Sequence, residues 1–249
     1  MNNFDLLIDG LDLRLFEKIK SQTSDGDKRS LLACQKALRG MVSEYTYLEI
    51  GSYRGGSIQP HLLDERCRKI YSIDKRISTQ SDERGFDPIY ESNTIPVMIE
   101  NLKEVSTTGV SKLECIDSAV REIDPAAIIE SPQVCFVDGE HTDEAAWRDF
   151  NFCLSVMPKD GALIFHDAPI IYNGLYRIIQ FLVEQGFRFR AYNLPDALFV
   201  VELGDFPLHR SEDIGEMLVN NYVGYLYSLR HNDGFRRFAN RRLFRYFGV

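Results

Sequence analysis

The sequence predicts an α/β fold: a seven-stranded, mostly parallel sheet flanked by helices, with an antiparallel hairpin near its C-terminal end. Three observations lead there. β-type runs near 45–50, 69–73, 112–116, 133–137 and 161–165 alternate with helix-length segments, the pattern of parallel strands joined by right-handed crossovers. The last two runs, near 188–193 and 197–203, are separated only by Leu194-Pro195-Asp196, too short for a crossover, so they pair antiparallel. The first run leads through a glycine-rich turn toward the second, and each carries a carboxylate at its end, Glu49 and Asp74.

The elements follow in order. Residues 1–44 read as a helical extension, with Leu11, Leu13, Leu15 and Phe16 ahead of a polar break from Ser21 to Asp27. A helix with Leu31, Leu32, Cys34, Ala37 and Leu38 on its apolar side comes next, and Asp25 or Asp27 would cap it. The α/β core spans 45–206, with helices expected near 57–66, 93–106, 118–122, 143–156 and 174–185. Residues 207–249 form a C-terminal extension that mixes Tyr222, Tyr225, Tyr227, Phe235, Phe238, Phe244, Tyr246 and Phe247 with Arg230, Arg236, Arg237, Arg241, Arg242 and Arg245. An arginine–aromatic helix suits a membrane surface, an acidic partner or self-association. The simpler reading packs it on the chain's own acidic surface or on a second subunit, and a homo-oligomer is expected.

Composition bounds the function. The 249 residues, 44% apolar, suffice for one large α/β domain with a full core. A net charge of −8 argues against general nucleic-acid binding, which rests on clustered Lys and Arg. The five cysteines, Cys34, Cys67, Cys115, Cys135 and Cys153, show no paired metal spacing and read as reduced thiols. With no leader pattern and no bilayer-length apolar run visible, a cytoplasmic location is expected.

The turn Glu49-Ile50-Gly51-Ser52-Tyr53-Arg54-Gly55-Gly56-Ser57 is the strongest functional signal. A β-run, a glycine turn and a second run tipped by an acid form half of a nucleotide-type cofactor site. Gly51 permits the tight turn, while Gly55 and Gly56 let the chain pass close to a ligand. One glycine stands where a dinucleotide fingerprint has G-x-G, and Glu49 lies two residues ahead of it. A pyrophosphate would be repelled there, which disfavours an NAD-dependent dehydrogenase. The sulfonium and ammonium of S-adenosylmethionine would be attracted, and Asp74 can accept both ribose hydroxyls.

Two further clusters carry chemistry. The run Val134–Val137 leads into Asp138-Gly139-Glu140-His141-Thr142, and Ala162–Phe165 leads into His166-Asp167. In a parallel sheet both emerge at the carboxyl edge, beside Glu49 and Asp74. Two carboxylates with an imidazole suit a hard divalent cation, and a free histidine suits proton removal. Asp138 or Thr142 would equally serve as a helix cap.

The pattern from Glu49 to Ser57 resembles the first motif of class I methyltransferases, and Tyr71-Ser72-Ile73-Asp74 their second. Asp138 to Thr142, Arg148-Asp149 and Phe165-His166-Asp167 resemble motifs of metal-dependent sugar O-methyltransferases of the macrocin and mycinamicin type and of cephalosporin-hydroxylase-like proteins, within methyltransferase family 24. The likeness covers about 45–203 and implies a Rossmann-like sheet ending in an antiparallel strand. It implies cofactor contacts from Glu49, Gly51, Ser52, Tyr53, Gly55, Gly56, Ser57, Asp74, Lys75 and Asp138. At the third strand it implies adenine contacts from Asp117, Ser118 and Ala119, where Ser118 could equally cap a helix. Asp138, His166 and Asp167 would hold a metal, Mg²⁺ in the first instance, and His141 would be the general base. Glu140 replaces the usual second Asp, Thr142-Asp143 the usual Ser-Tyr, and His166 a position often acidic. The expected function is O-methylation of a small hydroxylated acceptor such as a sugar, glycan or natural product. The alternative is a non-catalytic S-adenosylmethionine-binding regulatory or scaffold domain.

Overall fold

The computed structural model describes residues 3–85 and 87–232. Among the described residues there are eight strands: β1 (Tyr45–Ile50), β2 (Cys67–Asp74), β3 (Leu113–Asp117), β4 (Val134–Val137), β5 (Gly161–Phe165), β6 (Phe189–Asn193), β7 (Phe199–Leu203) and β8 (Asn220–Asn221). They form one sheet in the order β3-β2-β1-β4-β5-β7-β6-β8. β1 to β5 pair parallel, and β7 inserts antiparallel between β5 and β6. The predicted hairpin is therefore present, and the sheet has eight strands instead of seven. The extra strand is a two-residue pairing of Asn220-Asn221 with β6, too short and polar to leave a periodicity.

The helices are α1 (Asn3–Asp9), α2 (Asp25–Met41), α3 (Gln59–Leu63), α4 (Ile95–Val105), α5 (Asp143–Val156), α6 (Tyr172–Glu184), α7 (Glu212–Met217) and α8 (Tyr222–His231). Strand residues alternate between two helix layers. Leu48, Ile50, Cys135, Val137, Leu163 and Phe165 face α5, α6 and α8, while Tyr47, Val134, Phe136, Ala162 and Ile164 face α1 to α4 and α7. Leu32 and Leu38 of α2 are fully buried, so the N-terminal extension completes the core on that face. All five cysteines are free, and four of them are buried. Among the described residues no helix is long and apolar enough to cross a membrane.

Several expected elements are shorter than predicted. The helix expected at 57–66 shrinks to α3, because the glycine turn runs on as loop and Pro60 sits in the first helical positions. The segment 118–122 gives only a 3-10 turn, Val120–Glu122. Leu13–Phe16 also form a 3-10 turn, opened by the Asp12 side chain accepting from Arg14 N–H. Ser24 caps α2, not Asp25 or Asp27; Asp27 supplies the reciprocal half of the capping box. Of the C-terminal tail, Tyr225 stacks on Phe199 and the Arg230 guanidinium lies 3.6 Å from the Tyr176 ring centre, so α8 packs on its own domain. Phe235, Phe238, Phe244, Tyr246, Phe247 and the arginines from Arg236 to Arg245 lie outside the described residues.

The strand ladder continues one step past the carboxyl edge. Gly51 N–H donates to the Ile73 carbonyl (2.8 Å), Asp138 N–H to Ile50 (2.8 Å) and His166 N–H to Val137 (2.9 Å). That ladder sets Gly51, Asp138 and His166 in one row. Gly51 has φ +94°, and a Cβ there would lie 2.0 Å from the Asp138 carbonyl oxygen, so both conformation and space require glycine.

Candidate active site

An open cleft lies over this row. Its floor is the glycine turn with Asp138, His141, His166 and Asp167, and Tyr53, Arg54 and Ser57 line it as well. Two segments outside the sheet edge form its walls. Lys20, Ser21 and Gln22 come from the link between α1 and α2, and a Cβ on Gly56 would lie 2.9 Å from Ser21 Cα. Arg84 and Tyr90 come from the loop after β2, where Thr79 bridges Ile89 and Asp82 bridges His141.

The carboxylates and imidazoles alternate across the site. His141 Nε2 is 3.0 Å from Asp167 Oδ2, and its Nδ1 is 3.0 Å from Asp82 Oδ2. His166 Nδ1 lies 3.1 Å from Asp138 Oδ1 and 3.0 Å from Asp167 Oδ2, while its Nε2 faces Asp27 Oδ2 at 3.4 Å. Each histidine thus bears on the central Asp138–Asp167 pair through one nitrogen and on a buried outer carboxylate through the other. One atom each from Asp138, His141 and Asp167 lies within 4.8 Å of the other two, the only such group among the described residues. Two hard oxygen donors and an imidazole fit a divalent cation such as Mg²⁺ or Mn²⁺. Asp167 holds φ +53°, a left-handed conformation that Asp tolerates better than most residues.

Charge distribution follows from these contacts. Burial disfavours the His166 imidazolium, yet Asp138, Asp167 and Asp27 outweigh it and hold the pKa well above the usual value. His141 is raised in the same way, with Asp167 the largest opposing influence. Burial pushes the Asp167 carboxyl upward, but hydrogen bonds from both imidazoles hold it far below the carboxylate range. For Asp82, burial is outweighed by hydrogen bonds from the Arg84 side chain and backbone, so it stays ionised behind His141.

The residues expected to hold the cofactor divide into three groups. Gly51, Ser52, Tyr53, Gly56, Ser57 and Asp138 line the main cleft. Asp74, Lys75, Ser118 and Ala119 line a narrower adjoining pocket, which also includes Gly51. Asp74 accepts from Tyr53 N–H and Arg76 N–H, both at 2.9 Å, and Lys75 pairs with Glu140 at 2.5 Å. Glu49, Gly55 and Asp117 line neither space. Gly55 packs on Leu102, Asp117 lies at the exposed tip of β3, and Glu49 is fully buried beneath the turn. Sequence reading missed Asp27, Asp82, Arg84 and Tyr90. Asp27 had a signal only as a helix cap, and the other three sit in a loop with no periodicity.

Glu49 accepts from Tyr47 Oη and Ser57 Oγ, both at 2.7 Å, and burial pushes its carboxyl up to about 7. An acid raised by folding contributes its full stability below the unfolded pKa and loses it as pH rises through the folded one. Ionised Glu49 therefore costs the ligand-free protein on the order of 3 kcal/mol at pH 8. Glu49→Gln is expected to melt several degrees above the parent at pH 8 and close to it at pH 4.5, as read by calorimetry.

Comparison with known proteins bears directly on this geometry. Residues 48–168 match the family described as methyltransferase domain. The core has the Rossmann-like fold of methyltransferases. Its fold is that of TomG, an O-methyltransferase from Streptomyces achromogenes solved in complex with SAM (13% identity, TM-score 0.52, 82% of this chain and 90% of that one). It is also similar to the O-methyltransferase NovP (13%, TM-score 0.53, 80% and 97%) and to CalS11, a TDP-rhamnose 3′-O-methyltransferase of calicheamicin biosynthesis (14%, TM-score 0.52, 81% and 86%). An uncharacterized protein of Acanthamoeba polyphaga mimivirus is 23% identical over 124 residues, 50% of this chain, and the chain spans about half the length of that curated relative, 52%. The glycine turn lies within the residues that match the methyltransferase-domain family.

Proposed function

We propose that this chain is an S-adenosylmethionine-dependent O-methyltransferase acting on a hydroxyl of a small polyhydroxylated acceptor. The convergence of Asp138, His141, His166 and Asp167 beside the glycine turn carries this reading. The methyl group would pass from sulfonium to acceptor oxygen by in-line displacement, with S-adenosylhomocysteine as the leaving product. A sugar hydroxyl is a poor nucleophile at neutral pH and needs its proton removed. Asp82 accepts from His141 Nδ1–H, which fixes the ring; His141 Nε2, 3.0 Å from Asp167 Oδ2 at the cleft, would serve as the base in its neutral form. Asp138 and Asp167, with an imidazole beside them, would hold a divalent cation whose charge lowers the pKa of the hydroxyl. The acceptor class is supported by the likeness to a methyltransferase of a nucleotide-linked sugar.

A second arrangement rests on the closeness of Asp138, His141 and Asp167: His141 as a metal ligand, with Asp82 orienting it from behind. Calorimetric titration with S-adenosylhomocysteine and with Mg²⁺ or Mn²⁺ tests the metal reading. The unsubstituted chain is expected to bind both, and Asp167→Asn to retain the nucleoside while losing at least tenfold in metal affinity. Equal metal affinity in the two proteins would exclude a metal site at Asp167.

A further inference from the structure

The narrower pocket holds a buried polar group with nothing to bond. Gln80 lines it at 7% exposure, and its Oε1 has no hydrogen-bond partner among the described residues. Burying an amide oxygen without a donor is unfavourable, and such orphans in folded proteins are rare enough to need a reason. The pocket's charged residues already have partners: Asp74 with Tyr53 and Arg76 N–H, Lys75 with Glu140, and Arg148 with Asp149. Its remaining wall includes Ile73, Ala119 and Val120, the apolar surface a flat aromatic ring needs. Gln80 is held in place, since its N–H donates to the Pro88 carbonyl and its neighbour Thr79 bridges Ile89.

We propose that Gln80 Oε1 accepts a hydrogen bond from the exocyclic 6-amino group of the cofactor's adenine. The loop after β2 would then read the base, in addition to the sheet edge that carries Asp74, Ser118 and Ala119. This rests on the reading that the chain binds S-adenosylmethionine. A site built around a hydrogen bond rejects an analogue lacking the partner, because its own group is left unpaired. Gln80 lies two residues before Asp82 along the same loop, so the group that reads the base and the carboxylate behind His141 are parts of one short segment.

The test is binding of S-adenosylhomocysteine and of its purine analogue without the 6-amino group, measured by calorimetry on the unsubstituted chain, Gln80→Met and Gln80→Leu. The unsubstituted chain is expected to favour the amino form about tenfold, equivalent to about 1.4 kcal/mol. Both variants are expected to bind the two ligands within twofold of each other, because the acceptor is gone. Ligand-free melting temperature separates this from a packing role: removing an orphan acceptor leaves it unchanged or higher, whereas removing a structural contact lowers it. Discrimination that persists in both variants, or an unsubstituted chain that does not discriminate, overturns the proposal. No detectable binding of S-adenosylhomocysteine to the unsubstituted chain overturns the cofactor reading and this proposal with it.

Discussion

His141→Ala is expected to bind S-adenosylhomocysteine as tightly as the parent and to transfer methyl groups roughly 10²- to 10⁴-fold more slowly, the range for loss of a positioned base. His141 lines the main cleft and not the narrower pocket that Asp74, Ser118 and Ala119 line, so the binding half should be insensitive to it. Metal affinity measured on the same variant separates the two roles proposed for the ring. Retained affinity assigns it as base; a loss of tenfold or more assigns it as ligand. Asp82→Asn should follow His141→Ala in direction with a smaller loss, because the neutral amide can still meet Nδ1 but no longer stabilises the imidazolium. Turnover unchanged in His141→Ala would remove the residue from the mechanism.

The second large effect is on stability. Asp27→Ala is expected to cost about 3–5 kcal/mol in urea or guanidinium unfolding, the range for breaking a buried charge pair. Asp27 is 2% exposed and meets three demands at once. It completes the α2 capping box with Ser24, accepts from Ala197 N–H at 2.9 Å in the β6–β7 hairpin, and faces His166. Burial opposes its ionisation, yet His166, Ala197 and Ser24 together hold its pKa below the usual value. A depressed acid contributes above its unfolded pKa and loses that contribution as pH falls through the folded one. The gap between parent and variant should therefore be full at pH 6 and narrow below about pH 4. Asp27→Asn, which keeps an acceptor without the charge, should recover the helix-cap part, about 1 kcal/mol. A gap independent of pH would mean that the charge of Asp27 has no part in it.

How much of this was legible in the sequence depended on how local each signal is. β1, β2, β4 and β5 were readable because buried strands leave apolar runs, β3 because its half-buried residues sit at the expected spacing, and the hairpin because Leu194-Pro195-Asp196 is too short for anything else. Gly51, Asp138, His141, His166 and Asp167 were readable because the ends of parallel strands meet at one edge whatever the loops do. Asp27 and Asp82 were not, since they reach the site from α2 and from an irregular loop, and only tertiary packing sets their neighbours. Glu49 was recognised for its position but not for its burial. The sequence places it next to the turn, while the fold turns its side chain toward Tyr47 and Ser57.

The left-handed backbone at Asp167 limits what can stand there. Glycine and asparagine tolerate φ +53°, so either could preserve the turn into Ala168, but neither carries a negative charge. Glutamate carries the charge on a longer side chain and lacks the short-range bonding that eases this conformation for Asp. Only aspartate meets both demands. The repertoire at position 167 is therefore fixed by backbone and charge together, and drift there would have to pass through a chain that has given up one of the two.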